Sequence, residues 1–90
     1  MKLEFRASFA KDLKNIQDKQ LLNQIKEKIQ AIEASANIME LSGLKRLRTG
    51  GYYYRLRLGD YRLGLIIDGE TVIFVRLLHR REIYRYFPQG

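Results

Sequence analysis

Three arginines are placed by the sequence on two adjoining strands. Arg55 and Arg57 alternate with leucines, and Arg62 follows Gly59-Asp60, a two-residue signal for a hairpin turn. Pairing across that turn sets Arg57 directly opposite Arg62, on the face away from the leucines. Because opposed like charges destabilise a sheet by roughly 0.2–1 kcal/mol, we interpret the pair as a clamp for an anion. The alternative is that the two side chains splay apart into solvent.

Gly64 is predicted to lie opposite Arg55 on that same face. A glycine inside a strand often marks the close approach of a ligand or of another backbone. A bulge or a packing accommodation explains it equally well, and both explanations stay open.

A second polar group follows a long apolar stretch. His79, the one histidine of the chain, is succeeded by Arg80 and Arg81 at a position where a loop leaves a buried strand. Histidine is the side chain that titrates near neutral pH, and arginine is suited to bidentate contact with phosphate. This group adds a candidate general base and further contacts for an anion.

Tyrosines accompany both groups. Tyr84 and Tyr86 share a face if their segment is extended, and tyrosine can stack on a base or transfer a proton. Three consecutive tyrosines at 52–54 precede Arg55 and Arg57, and Tyr54 is the best candidate to face the core. Aromatic residues interleaved with arginines are typical of surfaces that bind single-stranded nucleic acid. Packing explains Phe87 better than function does.

The elements that must position these residues begin with one strand and two helices. Alternation around Leu3 and Phe5 predicts the strand. Ser8 and Asp18 are candidate caps of the two helices. Apolar residues at helical spacing are Phe9, Leu13 and Ile16 in the first helix and Leu22, Ile25, Ile29 and Ile32 in the second.

The second half of the chain reads as sheet. Strands are predicted at 52–58, 61–67 and 71–78, and a last strand or extended tail at 82–87. Asp68-Gly69 is a second hairpin signal, typical of a type I′ turn. Because the helices must cover one face of a sheet, the predicted fold class is α+β. Its N-terminal strand and helical hairpin pack on one face of an antiparallel β-meander in a single domain, 1–90, and the other face is free to carry function.

The charge balance indicates an anionic partner. The chain carries a formal net charge of +7, and residues 45–90 hold ten Lys or Arg against four Asp or Glu. This concentration favours a polyanion over solubility as its explanation. Cysteine is absent, which excludes disulfides and thiolate chemistry. No metal-ligand spacing, phosphate-binding glycine loop or serine nucleophile set occurs, so we expect neither metal nor cofactor.

A membrane location is not expected. No apolar run approaches the ~18 residues needed to cross a bilayer, and residues 1–6 lack the apolar stretch of a signal peptide. The expected location is therefore the cytoplasm.

Taken together, these segments resemble the RelE/ParE toxin superfamily of type II toxin–antitoxin systems. The resemblance rests on LKRLR at 44–48, YRLRLGDYRL at 54–63, the apolar stretch at 72–78 and HRREIY at 79–84, and the helical hairpin extends it over nearly the whole chain. It implies a RelE-like fold and a ribonuclease that enters the ribosomal A site and cuts messenger RNA. In that reaction the 2′-hydroxyl attacks the adjacent phosphate without a metal, which leaves a 2′,3′-cyclic phosphate and a 5′-hydroxyl.

The resemblance also implies roles for individual residues. Arg57, Arg62 and Arg80 bind the phosphate or stabilise the transition state, and Tyr84 stacks on a base or helps to transfer a proton. Further RNA contacts are expected from Lys45, Arg48, Arg55, Arg81 and Tyr86.

One departure from the family concerns the general base. Some members carry lysines where this chain has Arg55 and Arg57, and arginine stays protonated and cannot serve as a base. The base is then His79 or Tyr84, or catalysis is mainly electrostatic.

The main alternative within the same fold is a ParE-like inhibitor of DNA gyrase, which binds a protein and lacks the catalytic set. The joint presence of the arginines and Tyr84 favours the nuclease. Messenger RNA and the ribosome are then the expected targets. For either function, the resemblance implies a cognate antitoxin whose disordered segment folds across this surface.

Overall fold

The computed structural model describes residues 1–88 and has an N-terminal strand, two helices, four strands and a short last helix. The elements are β1 (Lys2–Phe5), α1 (Ala7–Lys14), α2 (Lys19–Ala34), a 3₁₀ turn (Ile38–Glu40), β2 (Leu44–Arg46), β3 (Tyr53–Leu58), β4 (Tyr61–Asp68), β5 (Thr71–His79) and α3 (Ile83–Tyr86). The predicted α+β class is confirmed. No helix within the described residues is long and apolar enough to cross a membrane.

The sheet has five strands in the order β1-β5-β4-β3-β2. Strands β2 to β5 form the antiparallel meander, and β1 pairs with β5 in parallel, so the whole sheet is mixed. The parallel pairing and the strand β2 were not predicted. β1 and β5 are far apart in the sequence and share no turn signal, and β2 is three residues long, too short to show alternation.

The main core lies between the helices and one sheet face. Phe9 from α1 and Ile25 and Ile32 from α2 are buried there. Alternation predicted the core residues of β3 and β4, which are Tyr54, Leu56, Leu58, Leu63, Leu65 and Ile67, and β5 adds Val72, Phe74 and Leu77. The side chains between them on β3 and β4 therefore point to the opposite face.

Helix α2 begins as predicted and α1 does not. The Asp18 carboxylate accepts from the backbone N–H groups of Gln20 and Leu21, as a helix cap does. Ser8 lies inside the first turn of α1 instead of capping it, and its hydroxyl donates to the Val75 carbonyl at 2.6 Å. The serine completes hydrogen bonding on the sheet, which sequence patterns within α1 do not indicate.

Strand β5 continues beyond the end of β1, and side chains of α1 form hydrogen bonds with the backbone of this part of β5. Val75 is an extra residue in the pairing of β5 with β4, a β-bulge. Beyond it, the buried Asp12 carboxylate accepts from the Leu77 N–H at 2.9 Å and from Arg76 Nε at 2.8 Å. Asp12 therefore satisfies a backbone donor and a half-buried charge that would otherwise lack partners.

We expect Asp12→Asn to lower the free energy of unfolding by about 2 kcal/mol, since hydrogen bonds to charged groups contribute ~1.5–3 kcal/mol. The amide keeps an acceptor for Leu77 but leaves the Arg76 guanidinium without a counter-charge. Urea denaturation followed by circular dichroism measures the change. The matched control is Asp68→Asn at an exposed position, and equal midpoints for the two variants would contradict the role assigned to Asp12.

The C-terminal segment is a helix, so the predicted last strand is wrong. Ile83 and Phe87 are spaced four apart, and both are buried against the sheet face that lies opposite the main core, together with Leu47. Phe87 leaves the helical conformation because it precedes Pro88, which disfavours that conformation. This small second core covers part of the face that was expected to be free.

Both hairpin turns are two-residue loops that begin with a glycine. Gly59 and Gly69 each have a φ of 59°, and the residue after each does not have positive φ, which is the pattern of a type II′ turn. The second loop is Gly69-Glu70, because Asp68 pairs with Thr71. It lies one residue later than predicted, and the type I′ assignment is wrong.

Candidate active site

Two arginines face each other across the β3–β4 hairpin, as the turn signal predicted. Arg57 pairs with Arg62, and Arg55 pairs with Gly64. Lys45 of β2 lies opposite Arg55 and extends the charged row to a third strand. All of these positions lie on the sheet face opposite to α1 and α2.

The half-buried Arg62 is at the centre of these charges. We call Arg55, Arg57, Arg62 and Arg80 the arginine cluster. Burial lowers the pKa of the Arg62 guanidinium below its usual value, and the charges of the other three lower it further, against an opposing effect of Tyr84. Arginine remains protonated near neutral pH, so the folded protein keeps this charge in an unfavourable place. A bound anion would reverse that cost.

The Arg62 side chain turns back toward the hairpin loop. Its Nη1 atom donates to the carbonyl of Gly59 at 2.8 Å and to that of Tyr61 at 2.9 Å. Arg80 lies at the same loop, since its backbone N–H donates to the Asp60 carbonyl at 2.8 Å. These backbone contacts of Nη1 hold Arg62 at the centre of the cluster. Its other guanidinium nitrogens, Nε and Nη2, are left to bind a ligand.

We expect Arg57→Gln to raise the free energy of unfolding by roughly 0.2–1 kcal/mol at low ionic strength, because it removes a like charge opposed to Arg62. The gain should shrink in 1 M salt, where the screening length is ~3 Å. Denaturation at low and high salt measures it, with Arg48→Gln in an exposed loop as the control. Loss of stability at low salt would show that the opposed charges carry no cost.

Tyr84 joins the cluster from α3. Its hydroxyl accepts a hydrogen bond from Arg55 Nε at 3.2 Å, and its ring is 59% exposed. Arg55 is held on the other side by Nη1, which donates to the Gly43 carbonyl at 2.8 Å. The tyrosine therefore presents an accessible ring and a hydroxyl that is fixed beside a guanidinium.

The structure does not bring His79 to the cluster. His79 pairs with Tyr61, and their rings meet edge to face with centroids 5.6 Å apart. Both lie on the helix side of the sheet, because strand side chains alternate and the adjacent Arg62 lies on the other side. The Nδ1 atom of His79 accepts from the backbone N–H of Arg81. This is a correction to its place among the candidate catalytic residues.

Tyr86 is also separated from the cluster. Because its segment is a helix, Tyr84 and Tyr86 are about 200° apart around the axis and do not share a face. Tyr86 lies over the guanidinium of Arg76, with 5.6 Å from Cζ to the ring centroid, on the side of α1. Its assignment as an RNA contact depended on an extended segment and loses that support.

Three further candidates are exposed. Lys45 is in the same row, Arg48 lies in the loop between β2 and β3, and Arg81 follows β5.

The Arg80 Nε atom is 4.0 Å from an Asp60 carboxylate oxygen, and both side chains are mostly exposed. Such a pair contributes little to stability, so Arg80 stays available to a ligand.

Gly43 is the participant that sequence reasoning missed. Its carbonyl accepts from Arg55 Nη1 and from the backbone N–H of Arg57, and its φ is 86°. A glycine that ends an aperiodic segment just before a basic strand was the available signal.

Within residues 1–88, no group of three His, Cys, Asp or Glu side chains is arranged to hold a metal ion.

The chain is similar to known proteins over nearly its whole length. A family model described as the ParE toxin of the type II toxin–antitoxin system parDE matches residues 3–84. The chain is 39% identical over 89 residues to Toxin RelE3 of Methanocaldococcus jannaschii, and the alignment covers 98% of this chain and 100% of that protein.

Solved structures show the same likeness. A chain of the RelB–RelE antitoxin–toxin complex from Methanococcus jannaschii is 39% identical, with a TM-score of 0.71 over 94% of this chain and 99% of that chain. A chain of the RelBE2 toxin–antitoxin complex of Mycobacterium tuberculosis is 26% identical, with a TM-score of 0.71 over 88% and 90% of the two chains.

Proposed function

Because the chain belongs to the RelE/ParE toxin superfamily of type II toxin–antitoxin systems, we propose that it is an endoribonuclease that cuts messenger RNA, in the ribosomal A site. The observation that carries the proposal is the arginine cluster with the Tyr84 hydroxyl bonded to one of its members. Opposed like charges destabilise a sheet, whereas a phosphate in transfer is stabilised by them.

The first step is binding and charge stabilisation. A phosphodiester placed between Arg57 and Arg62 accepts charge-assisted hydrogen bonds, which are about twice as strong as neutral ones. As the 2′-oxygen attacks, negative charge grows on the non-bridging oxygens, and Arg80 at the edge of the cluster adds a further donor. Donors fixed in advance by backbone carbonyls, as Arg62 is, stabilise this charge without reorganising.

The second step is proton transfer. Attack forms the bond from the 2′-oxygen to phosphorus and breaks the bond from phosphorus to the 5′-oxygen, with the 2′-proton passing to water. The Tyr84 oxygen already accepts from Arg55 Nε, so its own proton is free to be donated to the leaving 5′-oxygen. The Arg55 charge then stabilises the phenolate. Tyr84 therefore acts as the general acid, and the cluster supplies most of the remaining catalysis.

The neighbouring RNA is proposed to cross β2. Lys45 continues the charged row beside Arg55, and Arg48 lies beyond it. Tyr52, which precedes β3, is 57% exposed and offers a stacking surface. Basic residues with exposed aromatic rings are suited to a single strand without strong sequence preference.

The test is a primer-extension assay on a message undergoing translation with the purified protein. We expect new ends inside the coding region, at positions occupied by ribosomes. The same message with translation blocked at initiation shows whether the ribosome is required. Transcripts that stay intact in both conditions would overturn the proposal.

A second candidate is inhibition of DNA gyrase, which is favoured by the family model that matches the chain, since it describes ParE toxins. For that function the exposed basic face would bind a protein, and Tyr84 would act through contact alone. Arrested cells would then contain broken DNA and intact messages.

A cognate antitoxin is proposed as the partner. The structures of the RelB–RelE complex and of RelBE2 are those of a toxin with its antitoxin. A segment that covers the arginine cluster must compensate its charge, so we expect it to be acidic and to order on binding. The exposed ring of Tyr84, whose hydroxyl is bonded to Arg55 of the cluster, would add an apolar contact.

Co-expression with the adjacent small open reading frame tests this partner. We expect the two proteins to co-purify and growth to recover. Failure of both would contradict the proposal, whereas co-purification that is lost in 1 M salt would confirm that charge holds the complex.

A further inference from the structure

Gly64 requires a different explanation from the other glycines within residues 1–88. Positive φ, a region that favours glycine, occurs at Gly43, Gly50, Gly51, Gly59 and Gly69. Gly64 lies in the strand β4 without positive φ, so its backbone tolerates any residue. The constraint comes from a neighbour, because a Cβ at Gly64 would lie 2.8 Å from Cγ and Cδ1 of the Phe87 ring.

Phe87 fills the space where a side chain of residue 64 would stand. Its ring is 1% exposed, meets the Tyr53 ring edge to face at 5.7 Å between centroids, and packs with Leu47 and Ile83. The glycine is therefore a packing accommodation, and what it accommodates is the end of α3.

The same contact determines where Tyr84 lies. Helix α3 has four residues and cannot hold its position alone, since isolated helices of that length are unstable. Its anchors are Ile83 and Phe87, joined by a hydrogen bond from the Phe87 N–H to the Ile83 carbonyl at 2.8 Å. Gly64 pairs across the hairpin with Arg55, whose Nε meets the Tyr84 hydroxyl. The packing contact and the functional one are thus adjacent.

We infer that Gly64 and Phe87 are positioning residues for Tyr84. The ring of Phe87, packed on the bare Cα of Gly64, sets the distance of α3 from the sheet and so places the Tyr84 hydroxyl at Arg55. The consequence for RNA cleavage rests on the proposed function, whereas the placement of Tyr84 does not.

In the cleavage assay, Gly64→Ala should lower kcat about 100-fold, the cost of a displacement near 1 Å, with KM unchanged. Phe87→Leu added to Gly64→Ala makes room for the new methyl group and should recover part of the loss. In a Tyr84→Phe background, Gly64→Ala should cost little more. The control is Ile66→Val on the same face of β4. Equal losses in both backgrounds would show that Gly64 acts independently of Tyr84 and would overturn the inference.

A second measurement does not require activity. In protein labelled with [ζ-¹³C]tyrosine, the NMR signal that is lost in Tyr84→Phe is that of Tyr84. Arg55→Gln then gives the chemical-shift position of this signal without the hydrogen bond. Gly64→Ala should move the signal toward that position, and Ile66→Val should not. An unmoved signal in folded Gly64→Ala overturns the inference.

Two outcomes separate the inference from the proposed function. If Gly64→Ala does not fold, Phe87→Leu, which creates space instead of filling it, serves in the same NMR test with the same criterion. If the wild-type protein cuts no RNA, the proposed function fails, and the NMR result alone decides whether Gly64 and Phe87 place Tyr84.

Discussion

Arg62→Ala is expected to slow RNA cleavage by about 100- to 1000-fold, equivalent to ~2.7–4 kcal/mol, the usual cost of losing one preorganised donor to the transition state. Arg62 lies among the other three members of the arginine cluster, and burial and their like charges lower its pKa. The loss should appear in kcat as well as in kcat/KM, because the charge on the phosphate grows during the reaction.

The fold should survive this change. Arg62 lies on the face away from the main core, and its removal relieves repulsion within the cluster. Single-turnover cleavage and urea denaturation on the same preparation measure the two effects. Arg85→Ala, an exposed arginine of α3 outside the cluster, is the control for loss of charge. If both variants lose activity equally, the charge acts through long-range attraction of RNA and not at the phosphate.

Tyr84→Phe is expected to slow cleavage by about 100-fold or more, within the range of general acid–base catalysis. The substitution keeps the ring and removes the hydroxyl that Arg55 Nε contacts at 3.2 Å. Stacking would survive it and proton donation would not. RNA binding, measured with a 2′-deoxy substrate that cannot be cut, should be unchanged.

His79→Gln is the matched comparison. Because His79 lies on the helix side of the sheet against Tyr61, we expect activity close to that of the wild type. A larger loss in His79→Gln than in Tyr84→Phe would restore the histidine to the catalytic residues and contradict its separation from the arginine cluster.

Local signals account for the part of the site that could be predicted. The opposition of Arg57 and Arg62 follows from one two-residue turn and the alternation of a strand. The second turn shows the weakness of the same reasoning, since Asp68-Gly69 and Gly69-Glu70 are equally compatible with the sequence pattern and differ by one residue. The first prediction was right because Leu58, which precedes Gly59, suits a strand, whereas Asp68, which precedes Gly69, suits a turn as well.

Long-range packing accounts for what could not be predicted. The segment after His79 alternates well enough to be a strand, yet it is a helix because Ile83 and Phe87 bury on the same patch of sheet. That patch exists because Gly64, distant in the sequence, leaves room for a ring. The separation of Tyr86 from the cluster follows from these same packing contacts, whereas that of His79 follows from its pairing with Tyr61 on the helix side of the sheet.

The most direct test of the central claim is the chemistry of the cut ends. A short message bound to ribosomes, with a single 2′-deoxy residue 5′ to the main cleavage site in the A site, should bind normally and resist cutting there, because the attacking hydroxyl is gone. The unmodified RNA should yield a 2′,3′-cyclic phosphate and a 5′-hydroxyl, read by mass spectrometry. Cleavage of the deoxy substrate, or intact RNA alongside gyrase-dependent DNA breaks, would contradict the assignment of this chain as a ribonuclease.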